Sequence, residues 1–186
     1  MDPTTSRRGL LGGTAMALAG LAPRPAKAVR RPGDQSRAIW IRNQAGEEVR
    51  AAYIRADGQV DWQVVARLKR LFRDLRRNQE GPMPILLLDM LGQVQARWGS
   101  HQPLILLSGY RTAQTNSALE GAARNSRHLE GQAADIRMQG VPMAQLAAAA
   151  TDVSWRYNDF GIGTYPGFVH FDIGPKRGWR AGGATS

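Results

Sequence analysis

The sequence predicts a small α+β fold, a single domain in which helices flank a central antiparallel sheet. Short apolar or alternating runs typical of strands are interspersed with longer segments of helical periodicity, and there is no internal repeat. The 186 residues are 42% hydrophobic and 22% charged, which is the composition of an ordinary globular protein with one core.

The first half of this domain is predicted to contain a hairpin followed by two helices. Alternating residues at 38–42 and 48–55 flank a turn sequence and predict two antiparallel strands. Asp61 can cap a helix whose apolar residues recur at helical spacing as far as Leu75. A second, amphipathic helix is predicted over residues 85–98, after a Gly-Pro break.

The second half is predicted to alternate short strands with short helices. Continuous apolar or β-branched runs indicate strands, while a Thr112 cap and a proline in a first turn indicate where two helices begin. The predicted elements are strands at 104–107, 133–138, 162–165 and 168–173 and helices at 113–119 and 142–150.

The first 28 residues are predicted to be a twin-arginine export signal rather than part of the fold. Arg7 and Arg8 precede a weakly apolar stretch that ends in the A-x-A cleavage pattern Ala26-Lys27-Ala28. That stretch is shorter than the ~20 residues that a membrane-spanning helix needs. We therefore expect a periplasmic protein, exported in the folded state, with no stable membrane insertion after cleavage. The alternatives are a disordered basic N-terminus and an uncleaved anchor.

The rest of the chain is predicted to be one domain between two short flanking segments. Residues 29–37 are basic and lack periodicity, which is typical of a linker, and 181–186 are expected to be a flexible tail. The domain itself is expected to extend from residue 38 to residue 180, and a monomer is expected.

The absence of cysteine limits the chemistry available to the chain. It excludes a disulfide scaffold, a thiol nucleophile and every thiolate zinc site. A metal ion would have to be held by histidines and carboxylates, and the only histidines are His101, His128 and His170.

The positive charge does not indicate a nucleic-acid partner. The formal net charge is +10, from 25 basic and 15 acidic residues. Cleavage of the leader removes Arg7, Arg8, Arg24, Lys27 and Asp2, which leaves 21 basic and 14 acidic residues and a net charge of +7. Outside the cytoplasm, acidic cell-wall polymers and anionic lipids are the natural counter-charges, and no nucleic-acid-binding motif is present.

Two of the three histidines lie close to carboxylates in the last third of the chain. His128 precedes Asp135 by seven residues, and His170 and Asp172 alternate on one face of a predicted strand. Two histidines, one aspartate and a water satisfy tetrahedral Zn²⁺, whose bound water can ionise near neutral pH and attack a carbonyl. On spacing alone, a structural His–Asp hydrogen bond is the commoner explanation for such a pair.

Three sequence motifs carry a resemblance to a known family. They are S-G-Y-R-T at 108–112, S-x-H-x-x-G-x-A-x-D at 126–135 and F-V-H-x-D-x-G-P at 168–175. The chain resembles the LAS-type zinc peptidases, the D-Ala-D-Ala carboxypeptidase and murein endopeptidase family, and within it the murein endopeptidase K group. The likeness extends over about residues 38–179. It implies the hedgehog/D-Ala-D-Ala-peptidase-like fold, with a central antiparallel sheet.

The resemblance implies both a metal site and a substrate. His128, Asp135 and His170 would bind Zn²⁺, and the protein would be a periplasmic murein peptidase that hydrolyses the cross-links between the peptide stems of peptidoglycan. Whether the bond is D,D or L,D, and internal or terminal, stays open. A zinc-stabilised wall-binding module without catalysis is the alternative.

The catalytic base is the point at which this chain departs from many relatives. They carry a glutamate or aspartate three residues before the last histidine, where this chain has Gly167. Asp172, on the strand face of His170, is the best local substitute as a proton acceptor, but it could equally orient a metal-binding histidine. Glu130 and Asp159 are weaker candidates.

Arg111 matches the family arginine near the metal. Its guanidinium could hold a substrate carboxylate or polarise the scissile carbonyl, or it could clamp the following loop. Tyr110 and Tyr165 could line the substrate groove, although packing is the simpler explanation. His101 is expected to be an ordinary surface residue.

Overall fold

The structure, a computed structural model, describes residues 35–157 and 160–180. The predicted leader, most of the predicted linker and the predicted tail lie outside the described residues, while Arg37, the last predicted linker residue, already belongs to the first strand. Within the described ranges, no helix combines the length and the apolar character that a membrane crossing requires.

Pairs and groups of strands are interspersed with helices along the described chain, as the α+β class predicts. The elements are β1 (Arg37–Asn43), β2 (Glu48–Ile54), α1 (Trp62–Leu71), α2 (Ile85–Ala96), β3 (Leu104–Ser108), α3 (Ala113–Ser117), a 3₁₀-helix (Arg127–Glu130), β4 (Ala133–Met138), α4 (Met143–Tyr157), β5 (Gly161–Thr164), β6 (Val169–Asp172) and β7 (Arg177–Arg180).

The seven described strands form one mostly antiparallel sheet in the order β2-β1-β3-β4-β6-β5-β7. The pairs β1–β3 and β5–β7 are parallel, so the predicted antiparallel sheet is right for four of the six pairings. The helices α1 and α2 lie between β2 and β3 in the chain, and a connection of that length allows β3 to run parallel to β1.

The hydrophobic core lies on one face of the sheet, beneath α2 and α4. Ile136, Val169 and Phe171 are fully buried on this face. Because side chains alternate along a strand, their neighbours Asp135 and His170 project to the opposite face. The packing that stabilises the sheet therefore fixes where polar side chains stand on its other side.

Helix α1 is shorter than its apolar spacing predicts. Asp61 caps it as expected, accepting hydrogen bonds from the second and third backbone amides, but the helix ends at Leu71 rather than near Leu75. The buried carboxylate of Asp74 accepts from the backbone amides of Arg76 and Arg77 at 3.0 and 3.3 Å. An aspartate that binds nearby amides favours a turn over continued helix.

Two further differences lie at α2 and α4. The second helix ends at Ala96 and is buried on several sides rather than amphipathic, and the side chain of its buried Gln95 bonds to the backbone of Trp40. Helix α4 continues past the predicted end at residue 150 as far as Tyr157, because Val153 adds another fully buried side chain to the core.

Gly131 ends the 3₁₀-helix in a conformation that only glycine adopts readily. Its φ is +64°, and a Cβ at this position would lie 1.8 Å from the carbonyl oxygen of Pro82. The missing side chain therefore lets the loop that carries His128 pack directly against the segment before α2.

We expect Gly131→Ala to lower the free energy of unfolding by about 2–5 kcal/mol, because left-handed strain adds to a backbone clash. Thermal or urea denaturation measures the change. Gly140→Ala is the matched control, since Gly140 has a φ of +70° but nothing within 4 Å of its would-be Cβ. The control should lose only about 1–2 kcal/mol. Equal losses in the two variants would contradict the close approach to Pro82.

Candidate metal centre

The register of the central strands brings three polar residues into one row. Ser108 on β3 lies opposite Asp135 on β4, and Asp135 lies opposite His170 on β6. Residues opposite one another on neighbouring strands project to the same face, with Cβ atoms about 4.5–5.5 Å apart. A register shift between Leu106 and Ser108 in β3 sets this alignment at one end of the row.

His128 joins the row from outside the sheet. It lies on the 3₁₀-helix, where Ser126 caps its backbone amide, and its side chain is only 1% exposed. Its Nδ1–H donates to the carbonyl oxygen of Gly109 at 2.6 Å, and the Arg111 amide donates to the His128 carbonyl at 3.0 Å. The S-G-Y-R motif thus holds the histidine in place through backbone contacts.

Three side-chain atoms converge in front of the row. His128 Nε2 lies 3.1 Å from Asp135 Oδ1, His170 Nδ1 lies 2.9 Å from the same oxygen, and the two nitrogens are 3.2 Å apart. Ligands of tetrahedral Zn²⁺, at about 2.0–2.1 Å from the ion, are about 3.3–3.4 Å from one another. The group therefore has nearly the spacing that a tetrahedral metal ion requires.

The outer hydrogen bonds of both imidazoles determine what faces this point. A carbonyl oxygen can only accept, so the His128 proton is on Nδ1 and its Nε2 carries a lone pair. His170 Nε2 donates to Asp172 Oδ2 at 3.0 Å, which leaves a lone pair on Nδ1. With neutral histidines, three acceptors point at one another, and a cation is the partner that would satisfy all three.

The ionisation of the group is consistent with cation binding. Burial raises the pKa of Asp135, but the polar contacts with His128 and His170 and the charge of Arg111 outweigh it, so the pKa falls well below its usual range. Burial lowers the pKa of His128 and keeps the ring neutral. Burial also lowers the pKa of His170, but hydrogen bonds to Asp135 and Asp172 outweigh it and raise the pKa. A proton therefore competes with a metal ion for His170.

Arg111 contacts the other oxygen of the Asp135 carboxylate. Its Nη2 forms an ion pair with Oδ2, and its Nε donates to Ser108 Oγ at 2.7 Å. The guanidinium thus ties together two members of the row and leaves Oδ1 for the two histidines. Burial lowers the pKa of Arg111, and the carboxylate of Asp135 partly opposes that effect.

Asp172 lies behind the His170 ring rather than in front of it. Its carboxylate is fully buried and accepts from His170 Nε2, from Arg177 at 2.7 Å and from the Gly174 amide at 2.8 Å. Burial raises the pKa of Asp172, but the hydrogen bonds from His170 and Gly174 and the charge of Arg177 outweigh this effect. The pKa of Asp172 is therefore lower than its usual value. The sequence left open whether Asp172 accepts a proton in the reaction or orients a histidine. This placement favours the second role, with His170 as the histidine.

The remaining sequence candidates lie away from the convergence point or beyond the described residues. Glu130 is exposed and pairs with Arg127, and His101 is exposed and outside the group. Asp159 lies outside the described residues. Gly167 has nothing within 4 Å of its would-be Cβ.

A groove of about 860 Å³ opens in front of the three converging atoms, which is ample for a peptide-sized ligand. Tyr110 and Tyr165 line it, although packing was the simpler explanation for both from the sequence. Arg177 and Trp179 line it too, and neither was predicted from the sequence. Their strand, β7, is short and mostly exposed, so it carries no hydrophobic pattern; the only signal is an arginine five residues after Asp172.

A buried His-Asp-His group that faces an open groove, on an α+β domain, defines a candidate metallohydrolase. The sequence profile of the family described as peptidoglycan L,D-endopeptidase MepK matches residues 31–179. The chain belongs to this family of M15 metallopeptidases, and the protein is therefore a peptidase.

Two relatives show the extent of the likeness. The peptidoglycan L,D-endopeptidase MepK of Escherichia coli K12 is 35% identical over 176 residues, which cover 91% of this chain and 93% of the relative. The probable peptidoglycan L,D-endopeptidase MepK of Haemophilus influenzae is 32% identical over 178 residues, which cover 91% of this chain and 92% of the relative. The similarity therefore includes nearly the whole of each protein.

Proposed function

We propose that this protein is a zinc-dependent murein peptidase that hydrolyses peptide cross-links of peptidoglycan. The observation that carries the proposal is the convergence of three acceptor atoms, from His128, Asp135 and His170, at an open groove. The relatives are named L,D-endopeptidases. On that support we extend the proposal to the L,D type of cross-link, which the sequence left open.

The donor set fits zinc better than magnesium or calcium. Two imidazole nitrogens and one carboxylate oxygen are ligands that Zn²⁺ prefers, and three protein ligands leave the fourth position of a catalytic site open. At that position Zn²⁺ would supply a Lewis acid for the scissile carbonyl and an acidified water for the attack.

We assign to Arg111 the task of holding the Asp135 carboxylate. The ion pair on Oδ2 and the hydrogen bond to Ser108 fix the carboxylate so that Oδ1 alone points towards the histidines. Arg111 lines the groove, and its Nη1 group makes no hydrogen bond to the described residues, so it is available to a substrate carbonyl or carboxylate. The clamp and the substrate contact are thus compatible roles.

We assign to Asp172 the task of orienting His170. The aspartate holds the Nε2 proton, so the opposite nitrogen presents its lone pair, and Arg177 keeps the carboxylate ionised and in place. Such carboxylate–histidine pairs raise the basicity of a metal ligand and fix its rotamer.

The charge of the groove suits the proposed substrate. Five arginines and three carboxylates line it. Arg76 forms no ion pair with any described residue, whereas Arg111, Arg127 and Arg177 each contact a carboxylate. The peptide stems of peptidoglycan are rich in carboxylates, which an unpaired arginine at the groove would attract.

We place the protein in the periplasm, with the leader at 1–28, the linker at 29–37, the peptidase domain at 38–180 and the tail at 181–186. Support for the location comes from the paired arginines, the cleavage pattern and the cell-wall substrate in the names of the relatives. The hedgehog/D-Ala-D-Ala-peptidase-like fold and the monomeric state remain predictions.

We expect the purified chain to cleave cross-linked muropeptides and to lose this activity on treatment with a chelator. Zn²⁺ should restore it, because the three acceptors require a cation. His128→Ala should reduce cleavage by more than about 100-fold, since it removes a proposed ligand rather than a residue behind one. Mass spectrometry of the products measures the rate and identifies the bond.

His101→Ala is the control for that substitution, because His101 is exposed and outside the group. It should keep both cleavage and bound zinc. Cleavage that survives either the chelator or His128→Ala would contradict the proposed centre, and binding of muropeptides without turnover would favour a wall-binding module.

The two roles considered for Asp172 predict different effects of Asp172→Asn. If it orients His170, the affinity for zinc falls by about 10–100-fold. If it accepts a proton in the reaction, zinc affinity stays at the wild-type level and only turnover is lost. Competition with a chelating dye measures the affinity, and we expect the first result. Asp152→Asn, at an exposed pair with Arg97, is the control.

A further inference from the structure

The row that contains Ser108, Asp135 and His170 continues through two further strands towards the edge of the sheet. Gly163 on β5 lies opposite His170, and Trp179 on β7 lies opposite Gly163. A Cβ on Gly163 would lie 2.5 Å from the Trp179 ring. Because that side chain is absent, the indole extends across β5, and its ring centroid lies 5.3 Å from that of His170.

The indole in turn fixes the hydroxyl of Tyr165. Trp179 Nε1 lies 3.1 Å from Tyr165 Oη. An indole nitrogen can only donate a hydrogen bond, so the tyrosine oxygen is the acceptor. The proton of the phenol must therefore point away from Trp179 and is available to another acceptor.

The tyrosine ring itself is held from two further directions. It stacks on Phe168 with centroids 4.4 Å apart and an interplanar angle of 10°. The Tyr165 amide donates to the Phe168 carbonyl at 2.9 Å and closes the turn between β5 and β6. The side chain is thus preorganised before any ligand enters, which is the property that makes a hydrogen-bond donor effective in catalysis.

Tyr165 belongs to the lining of the groove at the metal centre. Tyr165, Arg111 and His170 line the same cavity. Among the described residues that line the groove, Tyr165 offers a neutral proton donor whose orientation is set by a second side chain.

We propose that the Tyr165 hydroxyl donates a hydrogen bond to the carbonyl oxygen of the scissile amide as negative charge develops on it. Tyr165 is then a catalytic residue, and Trp179 is a positioning residue that acts through it. The inference rests on the proposed peptidase function and adds a contact between this chain and the reacting atoms.

Tyr165→Phe tests the proposal, because it removes the hydroxyl and keeps the ring that stacks on Phe168. With the zinc-loaded full chain and a defined cross-linked muropeptide, kcat should fall about 100-fold while KM changes less than about twofold. Zinc affinity and melting temperature should match those of the wild type. Tyr157→Phe, an exposed tyrosine outside the groove, is the matched control and should retain wild-type kinetics.

Trp179→Phe separates positioning from a purely structural role. It removes the N–H and should lower kcat by a smaller factor than Tyr165→Phe. The double variant should be no slower than Tyr165→Phe alone, because the indole acts only through the hydroxyl. If kcat of the double variant falls by the product of the two single-variant factors, the coupling between Trp179 and the hydroxyl is contradicted.

The possible outcomes separate this inference from the proposed function. If the wild-type chain cleaves and Tyr165→Phe cleaves equally fast, the role of Tyr165 is wrong and the peptidase function stands. In Tyr165→Phe, a rise in KM with unchanged kcat, or a loss of bound zinc or of stability, would also overturn the catalytic role of Tyr165. If the wild-type chain does not cleave, the proposed function itself fails.

Discussion

The buried carboxylate of Asp135 is the constraint on which the metal centre depends. One of its oxygens faces two imidazole nitrogens, and the other contacts Arg111. A buried charge is costly unless it is paired, so the arginine makes this carboxylate tolerable inside the fold. The arginine also decides which oxygen remains for a ligand. Because His128 and His170 are each oriented by an outer hydrogen bond, the negative charge and both lone pairs meet at a single point.

That convergence depends on the register between two strands. A slip of one residue in β6 would move His170 to the core face and bring Phe171 to the groove. The register is held by apolar packing on the other side of the sheet, where Val169 and Phe171 are fully buried beneath α4. The accuracy of the polar site is therefore a consequence of the hydrophobic core on the opposite face of the sheet.

Local signals in the sequence predicted most of the elements, and the resemblance to the zinc peptidases implied the residues that meet at the centre. The Asp61 and Thr112 caps and the first hairpin are where the sequence placed them, because turns and caps depend on neighbouring residues. The contact between His128 and Gly109, the parallel pairings and the strand that carries Trp179 were not predicted. These features depend on partners far away in the chain, and a short polar strand has no periodicity of its own.

The most direct test of the metal centre is a crystal structure of the full chain grown with Zn²⁺, with anomalous data collected at the zinc edge. We expect one strong anomalous peak, about 2.0–2.2 Å from His128 Nε2, Asp135 Oδ1 and His170 Nδ1. Coordination through His170 Nε2 would contradict the orientation assigned to Asp172. A zinc ion bound elsewhere, with these three atoms unligated, would contradict the centre itself.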